Sequence, residues 1–326
     1  MRVFIAGGTG TIGTRLVREL LARGDRPVVL TRNAAAAGRR PEFEGVELIQ
    51  GDPGGRGDWQ RSLDGCDAVV NLAGANLFAQ RWSPSVKQAL RDSRVRSTEH
   101  LADAALRADR RPSVFVQGSA VGYYGDRGDE ELTETSPPGD DFLALLCREW
   151  EDAARPVAEA GVRLATIRTG IVLAKGEGIL GQLEPIFKWL PGGASPVGGA
   201  SHPLLPASGR QWISWIHLVD LVGLFLLALD HPEASGPLNG TAPSPRRNAE
   251  FSRELARTLR RPFVPIGPPE ALLRLVLGEV ARVIVTGQRV LPARPMALGY
   301  EFAFPELAGA LRDLLRRDRA GIAPRP

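Results

Sequence analysis

Cysteine is almost absent from this chain. Its 326 residues hold two, Cys66 and Cys147. That number and spacing exclude a disulfide framework, a cysteine-ligated zinc and a redox pair. The four histidines, His100, His202, His217 and His231, are too dispersed to hold a metal together, so no metal is expected. Lysine is also scarce. Lys87, Lys175 and Lys188 are the only ones among 41 basic residues, and the formal net charge is +4. The arginines are scattered and no aromatic–basic stripe is present, so no nucleic-acid surface is expected. A cluster at Arg312, Arg316, Arg317 and Arg319 fits the solvated face of a terminal helix. No run of about eighteen apolar residues occurs, and the chain enters a strand pattern at once. Neither a membrane span nor a secretory leader is expected. Hydrophobic residues make up 43% and charged residues 24% of the chain, ordinary for a globular protein. The expectation is a cytoplasmic protein, monomer or homodimer, that acts on a small molecule.

What is present is concentrated at the start, which reads MRVFIAGGTGTIG. An apolar strand runs into a glycine-rich turn, and an amphipathic helix follows with Leu16, Val17, Leu20 and Leu21 on one face. Gly7, Gly10 and Gly13 stand three apart. In a dinucleotide-binding turn the first glycine allows the tight bend, the second admits a pyrophosphate, and the third lets helix pack on strand. The free N–H groups of the helix start then hold the anion. A bare βα turn explains one glycine. Three in register, between a strand and a helix, point to a dinucleotide.

Strand patterns at 2–6, 27–31, 46–49, 68–72, 113–117 and 162–168 alternate with helical patterns at 11–23, 83–108 and 142–160. Such alternation predicts an α/β, doubly wound parallel sheet of the Rossmann kind, with ligand at the carboxyl ends of the strands. Residues 191–209 are rich in Pro, Gly and Ser and read as loop. A helix is expected over 218–229. In the tail, Asn248 can cap a helix to Leu259, Pro268 can start another to about Val285, and Pro305 can start the last. The expected division is a dinucleotide-binding domain at 1–245, with 175–212 lent to a substrate lobe, and a smaller, mostly helical domain at 246–326.

The second strand ends Val28-Val29-Leu30-Thr31-Arg32-Asn33. An acid there would bind the ribose 2′-hydroxyl, whereas an arginine accommodates a 2′-phosphate. With no acid present, Arg32 assisted by Thr31 indicates NADP(H). The expected cofactor residues are Gly7, Thr9, Gly10, Thr11, Ile12 and Gly13 in the first turn. Asp52, after the third strand, can accept the adenine amino group. Leu72, Ala73 and Gly74, after the fourth, allow close backbone approach. The backbone of Gly170 to Val172 is placed at the nicotinamide end. Lys87, on the helix after the fourth-strand loop, either reaches the cofactor or a substrate anion or faces solvent.

GGTGTIG, NLAG, RWSPSVKQAL, GSAVGYYG, FLALLCREWE, IRTGIVLAKGEG, GRQWISWIHLVDL and GQRVLP follow one another in this order. Together they resemble the atypical extended short-chain dehydrogenase/reductases of the "epimerase family protein" group, which includes family 39U and carries a C-terminal domain of unknown function. The resemblance covers nearly the whole chain. It implies a Rossmann domain, NADP(H) binding and no settled substrate. The chain departs from the group at Gln117-Gly118-Ser119, where a serine-rich run is usual, and in a longer loop at 191–209.

Ordinary enzymes of the superfamily use Tyr-x-x-x-Lys, in which the lysine binds the nicotinamide ribose and activates the tyrosine. Here the only tyrosines are Tyr123, Tyr124 and Tyr300, and none is followed four residues on by lysine. By resemblance the two positions fall near Leu143 and Cys147, which cannot relay a proton. The candidate donors are therefore Ser119, Tyr123 and Tyr124, at the carboxyl end of the fifth strand. Of the two tyrosines, one can equally pack in the core while the other lines the pocket. His217 and Asp220 form either an acid–base pair or a helix cap. Trp212 and Trp215 line the pocket or fill the core. The functional reading is an NADP(H)-dependent oxidoreductase or nucleotide-sugar-epimerase-like enzyme. Its alternative is an idle cofactor-binding regulatory or assembly protein.

Overall fold

Seven short segments of the chain, six of them rich in apolar residues or flanked by them, pair into one parallel sheet. The structure is a computed structural model, and it describes residues 1–181, 197, 204–205 and 207–315. The strands are β1 (Arg2–Ala6), β2 (Arg26–Thr31), β3 (Glu47–Gln50), β4 (Ala68–Asn71), β5 (Val114–Ala120), β6 (Arg163–Thr169) and β7 (Gly236–Gly240). Their order is β3-β2-β1-β4-β5-β6-β7, with every pair parallel. The strand order reverses between β1 and β4, which opens a crevice at their carboxyl ends.

Parallel strands are covered on both faces, so they read as continuous hydrophobic runs. Phe4, Ile5, Val69, Val70, Phe115 and Val116 are fully buried accordingly. On one face lie helices α1 (Thr11–Ala22) and α4 (Leu218–Asp230), whose Leu16, Val17, Leu20, Leu221, Leu224 and Phe225 share one core. On the other lies α2 (Pro84–Arg107), whose Leu101 and Ala105 pack with Trp59, Leu63 and Phe115. Helix α3 (Phe142–Asp152) follows β5 and its loop. The C-terminal region carries α5 (Asn248–Leu259), α6 (Glu270–Leu277) and α7 (Leu307–Leu315). A third core joins Phe251, Leu255, Leu307 and Leu311 to Leu173, Ile213 and Trp215, so the tail helices are built onto residues that precede them.

Several expectations change. The helix expected over 142–160 is broken after Asp152 and resumes at Arg155–Glu159, because Pro156 lacks the N–H that would continue the ladder. The helix expected from Pro268 to Val285 begins at Glu270 and stops at Gly278, whose φ of 64° ends it before a further turn at Ala281–Val285. Asn248 does not cap α5. Its Oδ1 accepts from the Val197 N–H at 2.8 Å, while Glu250 accepts the Arg247 N–H at 3.1 Å. Strand β7, Gly-Pro-Leu-Asn-Gly, was not anticipated, since that composition spells a turn. Most of the 191–209 loop lies outside the described residues, as do His202, Lys188, Arg316, Arg317 and Arg319.

Candidate functional site

The first turn leaves β1 and enters α1 through the three glycines, and each is glycine for a different reason. Gly7 has φ 78°, and a Cβ there would stand 2.6 Å from the Leu72 carbonyl carbon. A Cβ on Gly13 would strike the Gly7 carbonyl oxygen and the Gly8 Cα at 2.5 Å. The fold itself demands both. Gly10 is different. Its backbone is ordinary (φ −81°, ψ 176°), and a Cβ would meet nothing closer than the Gly7 oxygen at 3.6 Å. The fold thus leaves room for a side chain at Gly10 that the sequence does not use. Gly10 is also the N-cap of α1 and offers no side-chain acceptor. The first-turn N–H groups of Thr11, Ile12 and Gly13 thus face the crevice mouth with no cap bond, as an anion requires.

Around this turn the structure arranges the other expected residues. Leu72 is hydrogen-bonded to Ala6 (2.8 Å) and Ala73 to the Asn71 side chain (3.1 Å), which sets 72–74 directly against Gly7. Arg94 backs Gly74 from below. It is buried over Trp150 and donates to the Ala75 carbonyl at 3.0 Å. Arg32 is exposed at the tip of β2, beside Thr31, whose hydroxyl accepts from the Asn33 N–H at 3.4 Å. Asp52 is exposed and caps its own turn, accepting from Gly54 N–H at 2.9 Å. Gly170 is a packing position, because a Cβ there would lie 2.4 Å from the Ser214 carbonyl oxygen. It is the step at which the chain leaves β6 for the short strand Ile171–Ala174, where Val172 registers with Ile216.

Sequence reasoning missed Arg40. Its guanidinium donates to the Thr9 carbonyl at 3.0 Å and to the Thr14 hydroxyl at 3.2 Å. It stacks over Phe43 and lies 3.7 Å from Glu42. Arg40 thus sits at the glycine turn. No periodicity marks it, since Arg39 and Arg40 form an unremarkable pair in a loop. Lys87, by contrast, is engaged elsewhere. Its ammonium pairs with Glu279 and rides 5.1 Å above the Phe142 ring, tying the start of α2 to the C-terminal region.

The three candidate donors have three different surroundings. Ser119 is 4% exposed, and its hydroxyl donates to Glu151 Oε1 at 2.7 Å. Glu151 takes a two-pronged ion pair from Arg168, 2.9 Å at each oxygen. Arg168 also donates to the Tyr124 hydroxyl at 3.1 Å, and that hydroxyl donates to Asn239 Oδ1 at 2.7 Å. Asn239 in turn reaches the Leu291 carbonyl, and Glu134 bridges the N–H groups of Asn239 and Arg294. The chain Ser119–Glu151–Arg168–Tyr124–Asn239 is a continuous, largely buried network running to the C-terminal region. Burial pushes the Tyr124 phenol up to about 12. Burial opposes the Arg168 charge, but the Glu151 carboxylate outweighs it and holds the guanidinium above its usual range.

Tyr123 stands outside that network. It is half-buried, its ring lies 3.4 Å from the Arg168 guanidinium carbon, and it meets the Tyr124 ring edge-on at 5.3 Å. Its backbone is pinned by Gly139, but its hydroxyl makes no hydrogen bond within the described residues. Beneath this turn lie Leu143 and Cys147, the positions near which the resemblance puts a tyrosine and a lysine. A Cβ on Gly122 would stand 3.3 Å from Leu143 Cβ and 3.8 Å from Cys147 Sγ. Burial pushes the Cys147 thiol up to about 12, so it stays neutral. Leu143, Cys147 and Glu151 are spaced i, i+4, i+8 on α3, and that spacing was the signal that could have marked Glu151.

His217 and Asp220 do not form an acid–base pair. His217 Nδ1 accepts from the Val219 N–H at 3.1 Å as the cap of α4, its ring stacks on Phe304, and burial lowers its basicity. Asp220 stands in the first turn of α4, where a carboxylate favours the positive helix end. It clamps the Ala303 and Phe304 N–H groups at 2.7 and 2.9 Å, and burial raises its carboxyl. Trp215 is core, fully buried. An open cavity of about 390 Å³, lined by Asp126, Asp129, Arg210 and Arg247, begins just past the tyrosine turn; Trp212 does not line it but holds two of the residues that do. It donates to Asp129 at 2.8 Å between the guanidinium groups of Arg247 and Arg289.

A parallel sheet with its order reversing at β1 and β4, and an open glycine turn at that point, defines a Rossmann-type dinucleotide-binding protein. Comparison with known proteins places it further. The NAD dependent epimerase/dehydratase family matches residues 3–143, and a domain of unknown function, DUF1731, matches residues 268–314. The chain is 40% identical over 322 residues to the chloroplastic SDR39U1 homolog of Arabidopsis thaliana, covering 97% of this chain and 87% of that protein. It is 37% identical over 325 residues to human epimerase family protein SDR39U1, covering 97% and 100%. The crystal structure of the human protein with NADPH superposes with a TM-score of 0.83 at 35% identity, over 96% of this chain and 99% of that one. The UDP-glucose 4-epimerase of Thermus thermophilus, in complex with NAD, shares the fold at 20% identity (TM-score 0.74, covering 96% and 97%). The chain belongs to the epimerase family of the SDR39U1 type. None of its described helices is long and apolar enough to cross a membrane.

Proposed function

We propose that this chain is an NADP(H)-dependent redox enzyme, an oxidoreductase or epimerase-like protein, that works without a tyrosine–lysine dyad. The observation that carries the reading is Gly10, where an unstrained backbone with room for a side chain carries none, at an uncapped helix start. The residues present fit a dinucleotide. Thr11, Ile12 and Gly13 would hold the pyrophosphate by their N–H groups, and Gly7 with Leu72 and Ala73 would carry the backbone close to it. Arg32 would take the 2′-phosphate, joined by Arg40 across the turn. Bound nicotinamide supplies or takes up the hydride. The Tyr123 hydroxyl is the candidate group for the accompanying proton, because Ser119 and Tyr124 are committed to the buried network. Substrate would enter from the cavity beyond Asp126.

Arg32→Ala is expected to weaken NADPH binding by about 10- to 150-fold, the loss of charge-assisted bonds to a phosphate. NADH binding should scarcely change. Calorimetric titration of both cofactors against both proteins checks this, and equal losses for the two would show that Arg32 does not read the 2′-phosphate. A second reading, a cofactor-binding protein without turnover, draws on Leu143 and the neutral Cys147 where the dyad would stand. NADPH oxidation with any member of a carbonyl panel removes it.

A further inference from the structure

The anion-binding start of α1 already touches an anion of the protein's own. The Thr11 hydroxyl, on the first residue of the helix, donates to the carboxylate of Glu177. The two residues are 166 positions apart, and nothing in the sequence pairs them. Glu177 is delivered there by a tight hairpin. The strand Ile171–Ala174 is held in register against Trp215–His217, then folds back so that Leu173 pairs Gly178 and Ala174 pairs Glu177. Gly176 and Gly178 have φ of 69° and 55°, and a Cβ on Gly181 would strike the Gly176 carbonyl oxygen at 2.6 Å. The turn itself is exposed, and it is held by the pairing of its two arms and by the close approach of Gly181 to Gly176. Arg40, on the Thr9 carbonyl and the Thr14 hydroxyl, is the cation held at the same turn.

We infer that Glu177 is a built-in competitor for the cofactor's pyrophosphate, set to weaken dinucleotide binding and hasten its release. A helix N-terminus stabilises a carboxylate and a phosphate by the same N–H groups and the same dipole. Glu177 meets α1 through the Thr11 hydroxyl, not through the N–H groups, so the two anions compete for that hydroxyl and for the same positive helix end, and binding of the dinucleotide must displace Glu177 from Thr11. The inference rests on the NADP(H) reading above and makes a prediction that reading alone does not. Glu177 acts on the pyrophosphate, which NADPH and NADH have in common, whereas Arg32 acts on the 2′-phosphate, which only NADPH carries.

The test is calorimetric titration of NADPH and NADH into wild type, Glu177→Gln and Glu177→Ala, with thermal melts to establish that all three are folded. Removing the charge is expected to tighten both cofactors by about 2- to 20-fold, the range of one charge at a helix N-terminus. The gain should be the same for the two cofactors and should shrink as salt is raised. Unchanged affinity in both variants overturns the inference. Weaker binding overturns it too, and would make Glu177 a clasp across the bound cofactor. Wild type that binds NADPH, with variants no tighter, leaves the cofactor reading standing and removes only this one. No binding by any of the three removes both.

Discussion

Gly10→Val is expected to abolish NADPH binding while leaving the protein folded. The two halves of that outcome have separate causes. The fold tolerates the substitution because φ −81°, ψ 176° is extended backbone that a β-branched residue adopts readily, and because no atom lies within 3.6 Å of the new Cβ. Losing a glycine cap in favour of valine costs about 1 kcal/mol, a fraction of a domain's stability. Binding fails because the valine methyl groups fill the space above the helix start that the pyrophosphate must enter. Gly13→Val is the contrasting variant. Its Cβ would stand 2.5 Å from the backbone of Gly7 and Gly8, so the expected result is a chain that does not fold. Thermal melts with and without NADPH distinguish these cases. At about 100-fold Kd of cofactor, wild type gains about 2.7 kcal/mol, or roughly 5 °C in Tm. A rise of that size persisting in Gly10→Val would mean the pyrophosphate does not lie on this turn.

How far the site could be read from the chain follows from where its information resides. The glycine turn was legible because its constraints are local, with a strand, three glycines and an amphipathic helix contiguous over some twenty residues. The six strands were legible because parallel strands buried on both faces announce themselves as apolar runs. β7 was not, since Gly236, Pro237, Asn239 and Gly240 are turn residues by propensity. They hold a strand only because β6 offers a paired edge and Asn239 is bonded on its backbone and side chain. The network around Arg168 was equally hidden. Glu134, Glu151, Arg168 and Asn239 come from four separate segments, and only the folded chain shows that Ser119 and Tyr124 are spent on them. Arg40 and Glu177 reach the glycine turn from 31 and 166 residues away. Long-range polar contacts of this kind have no period and leave no trace in a sequence read alone.

Tyr123→Phe is expected to lower the rate of NADPH oxidation by about 10²- to 10⁴-fold, the usual worth of a general acid. The substitution removes one hydroxyl and keeps the ring that lies against Arg168 and Tyr124, so packing and cofactor affinity should hold. Two further variants separate chemistry from structure. Tyr124→Phe leaves Asn239 and Arg168 each short of a buried partner, which costs about 1–3 kcal/mol in stability. Its lost activity should therefore track a lowered Tm, whereas that of Tyr123→Phe should not. Cys147→Ser should retain activity, because the buried thiol is neutral and carries none of the charge that a lysine would bring to that position. Single-turnover oxidation of NADPH, with whichever carbonyl compound the wild type reduces, is the measurement for all three. Wild-type rates in Tyr123→Phe would eliminate the tyrosine as donor. The proton would then have to come from bound water, or from the Ser119 hydroxyl turned from Glu151 toward the substrate and reprotonated from solvent.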